Sequence, residues 1–212
     1  MKSFKHWKRQ EVEEVFGIQE VASHPLLEQW LSHKCEIVES DKNTLFRLQK
    51  SLVKNVDLWN EAELKIKFLG PLLELVDYDT DHYRSFMERK LIIERGEEII
   101  SGTVDFLIAK GRQIPRSPFF CVHEYKPEPS GTNDPLGQLL IGLQAIHLEN
   151  QKNGNAFPLY GSYVVGGLFY FVVFDGQSYA KSQFFSAHEK IFDVYCFLRQ
   201  VKVYIEKQIA KK

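Results

Sequence analysis

Apolar residues recur at helical spacing through the first third of the chain. Residues 23–31 combine a Ser-His-Pro start with apolar positions at i, i+1, i+4 and i+5, and residues 40–53 repeat the pattern. Residues 58–77 predict a stronger helix, with Asn60 as its N-cap and acidic residues in its first turn. Pro71 is expected to kink or divide this helix, because proline removes a backbone donor.

Between residues 90 and 126 the pattern changes to short apolar runs separated by turn residues. The runs cover residues 91–93, 103–108 and 118–126, and glycines at positions 96 and 111 lie between them. Short runs rich in β-branched and aromatic residues, bounded by such turn signals, predict three β-strands.

A helix is expected over residues 134–150, because Asp134 suits an N-cap and Pro135 suits the first helical position. Strand patterns return over residues 163–174, where two adjacent glycines indicate a hairpin turn. A further strand precedes a final helix that begins near residue 186.

This order of elements predicts an α/β fold with a central mixed β-sheet flanked by helices. A chain of 212 residues suits one domain, or one domain with an appendage. We therefore expect residues 1–57 to form a helical N-terminal extension and residues 58–212 to form the main domain.

Charge and composition exclude some classes of protein. Apolar residues make up 44% of the chain, and 27 basic residues against 28 acidic ones leave a formal net charge of −1. That balance excludes a histone-like basic protein but still allows a local basic stripe that binds nucleic acid. Lys110, Arg112 and Arg116 lie between two of the predicted strands and are the best candidates for contacts with phosphate.

No apolar run approaches the roughly 18 residues of a membrane span. The charged start of the chain lacks the apolar stretch of a secretory signal. Cys35, Cys121 and Cys196 are odd in number and widely separated, which argues against a disulfide framework. We expect a cytoplasmic protein without membrane contact.

The candidate chemistry lies on the predicted strands. Glu124 and Lys126 share one face of their strand, and Asp105 lies on the preceding strand. Antiparallel pairing would bring Asp105 close to Glu124, and two adjacent carboxylates repel unless a cation lies between them. Mg²⁺ is the expected cation, with Mn²⁺ as its substitute, and such a site suits metal-assisted hydrolysis of phosphodiesters. A cross-strand salt bridge without any metal is the alternative explanation.

Four segments occur in a fixed order: 60–73 with its apolar-Pro-Leu-Leu ending, Gly-Thr-Val-Asp-Phe at 102–106, Glu-Tyr-Lys at 124–126 and Asp-Pro-Leu-Gly-Gln at 134–138. In this order, together with the later hairpin, the chain resembles the PD-(D/E)xK nuclease superfamily over roughly residues 58 to 205. More narrowly, it is similar to the N-terminal nuclease domain of the R subunits of type I restriction enzymes. The resemblance implies a restriction-endonuclease-like core that acts on DNA.

The resemblance also implies a role for each matching residue. Asp105 and Glu124 would hold Mg²⁺, with the backbone carbonyl of Tyr125 as a third ligand. Lys126 would position the attacking water or stabilise the charge that develops on the phosphate.

Two further catalytic residues follow from the resemblance. Glu61 of the first helix would support a metal-bound water, and Glu63 is the alternative if the register differs. Gln138 would contact the scissile region or the catalytic lysine.

The family's motor is absent, since the sequence contains no G-x-x-x-x-G-K-[ST] loop. Candidate partners besides DNA are therefore a separate motor or specificity subunit and a second copy in a homodimer. The leading hypothesis is a Mg²⁺-dependent endonuclease with a role in restriction or phage defence. The alternatives are a non-catalytic nucleic-acid-binding or assembly module that keeps the fold, and a small α/β interaction protein.

Overall fold

A mixed β-sheet runs through the computed structural model, which describes residues 2–127 and 134–210. In that part of the chain the sheet has nine strands in the order β1-β4-β5-β6-β7-β8-β2, with β3 paired to β4 and β9 paired to β7. The strands are β1 (Lys2–Ser3), β2 (Gln19–Glu20), β3 (Arg84–Arg95), β4 (Glu98–Lys110), β5 (Arg116–Lys126), β6 (Leu159–Val165), β7 (Leu168–Phe174), β8 (Ser178–Lys181) and β9 (Phe185–Ser186).

Helices cover both faces of this sheet. They are α1 (Arg9–Phe16), α2 (Pro25–Leu31), α3 (Glu39–Asn55), α4 (Glu61–Leu64), α5 (Gly70–Val76), α6 (Pro135–Lys152) and α7 (Ala187–Ala210), which is kinked at Lys190. Short 3₁₀ turns occupy Phe4–His6 and Val56–Leu58. The predicted α/β fold with a mixed sheet flanked by helices is confirmed.

The centre of the sheet is a three-stranded antiparallel unit followed by a parallel crossover. Strand β4 pairs antiparallel with both β3 and β5, and Phe106 lies opposite His123. Strand β5 then pairs parallel with β6, which requires the long connection through α6. The three strands predicted between residues 90 and 126 are confirmed, although β3 begins earlier than its apolar run indicates.

The helix predicted over residues 58–77 forms as one run interrupted by a π-helical turn at Lys65–Leu69. Asn60 caps it, since its side chain accepts a hydrogen bond from the Glu63 N–H and its own N–H is bound in return by the Glu63 carboxylate. Pro71 has no N–H and its ring would crowd the carbonyl four residues earlier, so the wider turn before it accommodates the proline.

Two hydrophobic cores lie on opposite faces of the sheet. One joins α2, α3, α5 and α7 to the sheet through side chains such as Leu45, Phe68, Phe171 and Tyr195. The other joins α6 and the N-terminal segment to the opposite face. Helix α6 is buried along most of its length.

Residues 2–57 share the sheet and both cores with the rest of the chain. Besides the expected helices they form two short strands that the sequence did not indicate, β1 beside β4 and β2 beside β8. The buried Trp30 indole N–H donates to the carbonyl of Phe197 at 2.7 Å. The division of the chain at residue 57 stays a prediction.

The sequence argued against a disulfide framework, but two of the three cysteines form a bond. Cys35 and Cys196 form a disulfide with their Cα atoms 5.4 Å apart. Their sequence separation of 161 residues hides this proximity, which depends on the segment after α2 packing against α7. Cys121 is buried as a free thiol. None of the helices in the described ranges is long and apolar enough to cross a bilayer.

Gly137 provides a test of how the N-terminal segment packs on α6. A Cβ at this position would lie 2.6 Å from the backbone nitrogen of Arg9 and 2.7 Å from the carbonyl oxygen of Trp7. We expect Gly137→Ala to lower the free energy of unfolding by about 1–3 kcal/mol in a urea titration, because backbone cannot yield as a side chain can.

Gly142→Ala on the same helix is the matched control. A Cβ there would meet only the methyl groups of Val104 and Val122, at 3.1 and 3.3 Å. Gly142→Ala should lower the free energy of unfolding by less than Gly137→Ala does. Equal decreases for the two variants would contradict the close packing of the N-terminal segment on Gly137.

Candidate active site at the ends of β4 and β5

Asp105 and Glu124 lie on adjacent antiparallel strands, one residue beyond the pair formed by Phe106 and His123. The backbone N–H of Tyr125 donates to Oδ2 of Asp105 at 2.7 Å, which fixes the Asp105 carboxylate against β5. Both carboxylates are buried. The antiparallel pairing expected from the sequence is therefore present, and it brings both acids to the end of the β4–β5 pairing.

Lys65 extends from the π-helical turn into the space beside Asp105. Its Nζ lies 2.7 Å from Oδ1 of Asp105, 2.8 Å from Oε1 of Glu61 and 2.7 Å from Oε1 of Glu88. Glu88 belongs to β3 and adopts a left-handed backbone conformation with φ of 51°. The lysine side chain is only 13% exposed, so one buried ammonium group links α4, β3 and β4.

Lys126 makes the corresponding contacts on β5. Its Nζ lies 2.7 Å from Oε1 of Glu124 and 3.7 Å from Oε2 of Glu61. Glu61 therefore joins the two lysines. We call this set the ionic cluster, and its members are Glu61, Lys65, Glu88, Asp105, Glu124 and Lys126.

Charges in the ionic cluster do not balance. Four carboxylates against two ammonium groups leave −4 + 2 = −2 when all six are ionised. Burial, and then repulsion by Asp105, raises the pKa of Glu124 to about 7. Burial also raises the pKa of Asp105, against the hydrogen bond from Lys65 that lowers it.

For the two lysines, burial and ion pairing act on the pKa in opposite directions. Burial acts to lower the pKa of Lys65, but its hydrogen bonds to Asp105, Glu61 and Glu88 prevail and raise that pKa. The pKa of Lys126 is raised in the same way, chiefly by Glu124. Both lysines stay charged at neutral pH, so the ionic cluster holds two fixed cations and a proton that Glu124 exchanges near neutrality.

The structure places Glu61, and not Glu63, in the ionic cluster. The Glu63 carboxylate instead pairs with Lys67 at 2.6 Å and caps its own helix. Asp105, Glu124 and Lys126 join Glu61 there, so four of the five residues assigned catalytic roles from the sequence come together.

Two members of the ionic cluster were missed from the sequence. Lys65 carries a usable signal, because it follows Glu61 by four residues on a predicted helix. Glu88 carries none, since its position depends on the pairing of β3 with β4 and on an unusual backbone conformation.

Gln138 lies in the first turns of α6 and is buried, and its Nε2 has no hydrogen-bond partner within the part of the chain that the structure describes. Gly142, one turn later, faces Val104 and Val122. Because α6 runs back along β5 in the crossover, this places Gln138 beside the end of β5 that carries Glu124 and Lys126. Its contact with a substrate or with the lysine stays a prediction.

Tyr125 and His123 have structural roles on the opposite side of β5. The Tyr125 hydroxyl and Nδ1 of His123 lie 2.9 Å apart, and the imidazole ring lies beside that of Phe106. Burial lowers the pKa of His123 to about 3, so the ring is neutral. His123 therefore packs and hydrogen-bonds within the core, whereas the role of the Tyr125 carbonyl as a metal ligand stays a prediction.

Lys110, Arg112 and Arg116 lie at the other end of the β4–β5 hairpin. Lys110 of β4 lies opposite Arg116 of β5 in the strand register. Lys110 is five residues from Asp105, which corresponds to about 17 Å along the strand. Lys110 and Arg112 line a cavity of about 570 Å³ that also includes His82 and Arg84. The structure does not bring these basic residues to the ionic cluster.

The donor set of the ionic cluster suits a hard divalent ion, because it consists of carboxylate oxygens with an excess of two negative charges. As the side chains stand, however, residues 2–127 and 134–210 contain no three His, Cys, Asp or Glu side chains grouped to hold a metal. The ammonium group of Lys65 lies between Asp105, Glu61 and Glu88 instead.

No protein-family model matches the chain, and a comparison with curated proteins finds no match. The function must therefore be argued from the geometry of the ionic cluster.

The raised pKa of Glu124 predicts how stability depends on pH. The folded protein holds a proton that the unfolded chain releases near pH 4.5, so this group's contribution falls as pH rises from about 4.5 to about 7. Over this pH range we expect the unfolding free energy to decrease in the parent protein and to decrease less in Glu124→Gln. The difference between the two decreases should be on the order of 3 kcal/mol.

Chemical denaturation at pH 5, 6, 7 and 8 measures this difference. Glu63→Gln is the control, because Glu63 is exposed and paired with Lys67 outside the ionic cluster. Identical pH profiles for the parent protein and Glu124→Gln would contradict the assignment.

Proposed function

We propose that this protein is a Mg²⁺-dependent DNA endonuclease of the PD-(D/E)xK type, which hydrolyses phosphodiester bonds. The observation that carries the proposal is the convergence of Asp105 of β4, Glu124 and Lys126 at the end of β5, and Glu61 of α4. Three separate segments of the chain supply these side chains, and two acids next to a lysine are the groups that metal-assisted hydrolysis of a phosphodiester uses.

Asp105 and Glu124 are the residues that would hold the ion, and Mn²⁺ would substitute for Mg²⁺. When bound, the ion supplies Lewis-acid activation of a water molecule and of the phosphate. Asp105 is held in place by the Tyr125 N–H, so its second oxygen remains directed at the cation position that Lys65 occupies. Tyr125 would add its backbone carbonyl.

Lys126 would orient the attacking water and stabilise negative charge on the phosphate, since it is a buried cation next to the carboxylates. Glu61 of α4 would support a metal-bound water. Its carboxylate contacts Lys126 and is more exposed than that of Glu124, the other acid paired with this lysine. Gln138, whose amide nitrogen has no partner in the described ranges, would meet the scissile region.

The arrangement of elements supports a restriction-endonuclease-like core. A helix carrying Glu61 precedes an antiparallel β3–β4–β5 unit, and a crossover through α6 then adds β6 in parallel. We propose that this core acts on DNA in restriction or phage defence, together with a separate motor or specificity subunit or as a homodimer.

Location in the cytoplasm is part of the same proposal, because DNA is the proposed substrate. The Cys35–Cys196 disulfide is an observation against this location, because such bonds are rare in the reducing cytoplasm.

A non-catalytic nucleic-acid-binding or assembly module is the second candidate function. It is favoured by the fact that both buried carboxylates already have a lysine partner, Lys65 for Asp105 and Lys126 for Glu124. On that account the ionic cluster is a salt-bridge network that fixes α4 to the sheet.

Cleavage assays separate the two functions. The protein should nick plasmid DNA in the presence of Mg²⁺ or Mn²⁺ and stop on addition of EDTA. Asp105→Asn and Lys126→Met should each lower the rate by at least about 100-fold while the protein stays folded, as judged by circular dichroism.

Lys67→Met is the matched control, because Lys67 lies on the same helical segment as Lys65 but pairs with Glu63 outside the ionic cluster. Cleavage that survives both active-site substitutions would come from a contaminant and would contradict the proposal.

DNA binding gives a separate prediction for the β4–β5 turn. About 17 Å separates Lys110 from Asp105, which corresponds to about five base-pair steps of duplex DNA. Replacing both Arg112 and Arg116 by Ala should weaken binding and reduce the slope of log affinity against log salt by about 1–2.

Fluorescence anisotropy at several salt concentrations measures that slope. Lys34→Ala is the control, because this exposed lysine pairs with Asp193 of α7. An unchanged slope in the double variant would exclude the β4–β5 turn from the DNA contact.

A further inference from the structure

Lys65 places its ammonium group among three carboxylates of the ionic cluster. Its three ion pairs of 2.7–2.8 Å reach Asp105 from β4, Glu61 from α4 and Glu88 from β3. A single ammonium group supplies three donors and carries one positive charge. It therefore satisfies the geometry of these carboxylates without cancelling their charge.

The remaining charge imbalance indicates that the ammonium group is not the only cation that suits this position. The ionic cluster keeps an excess of two negative charges with Lys65 and Lys126 both in place. The amide nitrogen of the buried Gln138, near the same end of β5, has no partner in the described residues. A buried donor without a partner is expected where a bound ligand or water is missing.

We propose that Lys65 is an internal competitor of the divalent ion: its ammonium group holds Oδ1 of Asp105, an oxygen that the ion needs as a ligand, until the ion displaces it. This inference rests on the proposed metal-dependent function. In this arrangement Lys65 sets the affinity of the site for the divalent ion and keeps the protein folded before the ion binds.

Exposure of the partners provides a route for the displacement. The Asp105 side chain is 9% exposed, whereas that of Glu88 is 56% exposed. The flexible four-carbon stem of lysine allows Nζ to leave Asp105 and stay paired with Glu88 towards solvent. The deep carboxylate is then free for the ion, and the lysine keeps a partner.

Competition has two measurable consequences. Without the lysine, Asp105 loses its counter-ion, so the metal-free protein should be less stable. The ion no longer has to displace a charged group from three carboxylates, so it should bind more tightly. A purely structural salt bridge produces the first effect but not the second.

The experiment measures Mn²⁺ binding by titration calorimetry, and melting temperature with EDTA and with Mn²⁺, on the full chain. Lys65→Met should melt about 5–10 °C lower in EDTA, recover most of that loss with Mn²⁺, and bind Mn²⁺ at least about tenfold more tightly than the parent protein. Lys67→Met, which removes an exposed ion pair on the same helical segment, should change neither quantity.

A double variant covers the case in which Lys65→Met fails to fold. Lys65→Met with Glu88→Gln removes one charge of each sign, so the ionic cluster keeps its natural balance of −3 + 1 = −2. It should show the same tighter binding of Mn²⁺.

The failure of this inference and the failure of the proposed function give different results. Equal Mn²⁺ affinity in the parent protein and the Lys65 variants, with binding lost in Asp105→Asn, would overturn the competition and leave the metal site standing. No Mn²⁺ binding in any of these proteins would overturn the proposed function and the competition with it.

Discussion

The constraint on which this structure depends is the burial of carboxylates at the end of two central strands. Asp105 and Glu124 are held there by the pairing of β4 and β5, and removing such groups from water is costly unless cations compensate them. Two lysines compensate only part of the charge. Burial, and then repulsion by Asp105, raises the pKa of Glu124 to about 7, so this carboxyl keeps its proton to a higher pH than an exposed glutamate does.

The fold supplies these charges from elements that pack for other reasons. The π-helical turn that accommodates Pro71 begins at Lys65, and apolar residues of the same run, such as Phe68, anchor it in the core. Helix α6 connects β5 to β6 and brings Gln138 to the same end of the sheet. On the strand side the ionic cluster is buried at Asp105, whereas Glu88 exposes its carboxylate to solvent.

The local parts of this arrangement could be predicted from the sequence, and the long-range parts could not. Strand alternation and turn residues were sufficient to predict that Asp105 approaches Glu124 if the two strands pair antiparallel, but the register depends on irregular pairing near the turn. Glu88 and the Cys35–Cys196 bond depend on backbone distortion and on packing between distant segments, which leave no periodic signal. The N-terminal segment was recognised as helical, but two-residue strands such as β1 and β2 are too short to form a pattern.

Diffraction from crystals soaked in Mn²⁺ and measured at the manganese absorption edge would show whether Asp105 and Glu124 hold the ion. We expect an anomalous peak bonded to the carboxylates of Asp105 and Glu124, with Nζ of Lys65 moved away from Asp105. This expectation would be contradicted by the absence of a peak at this position at millimolar Mn²⁺ while Lys65 keeps its bonds to Asp105 and Glu61.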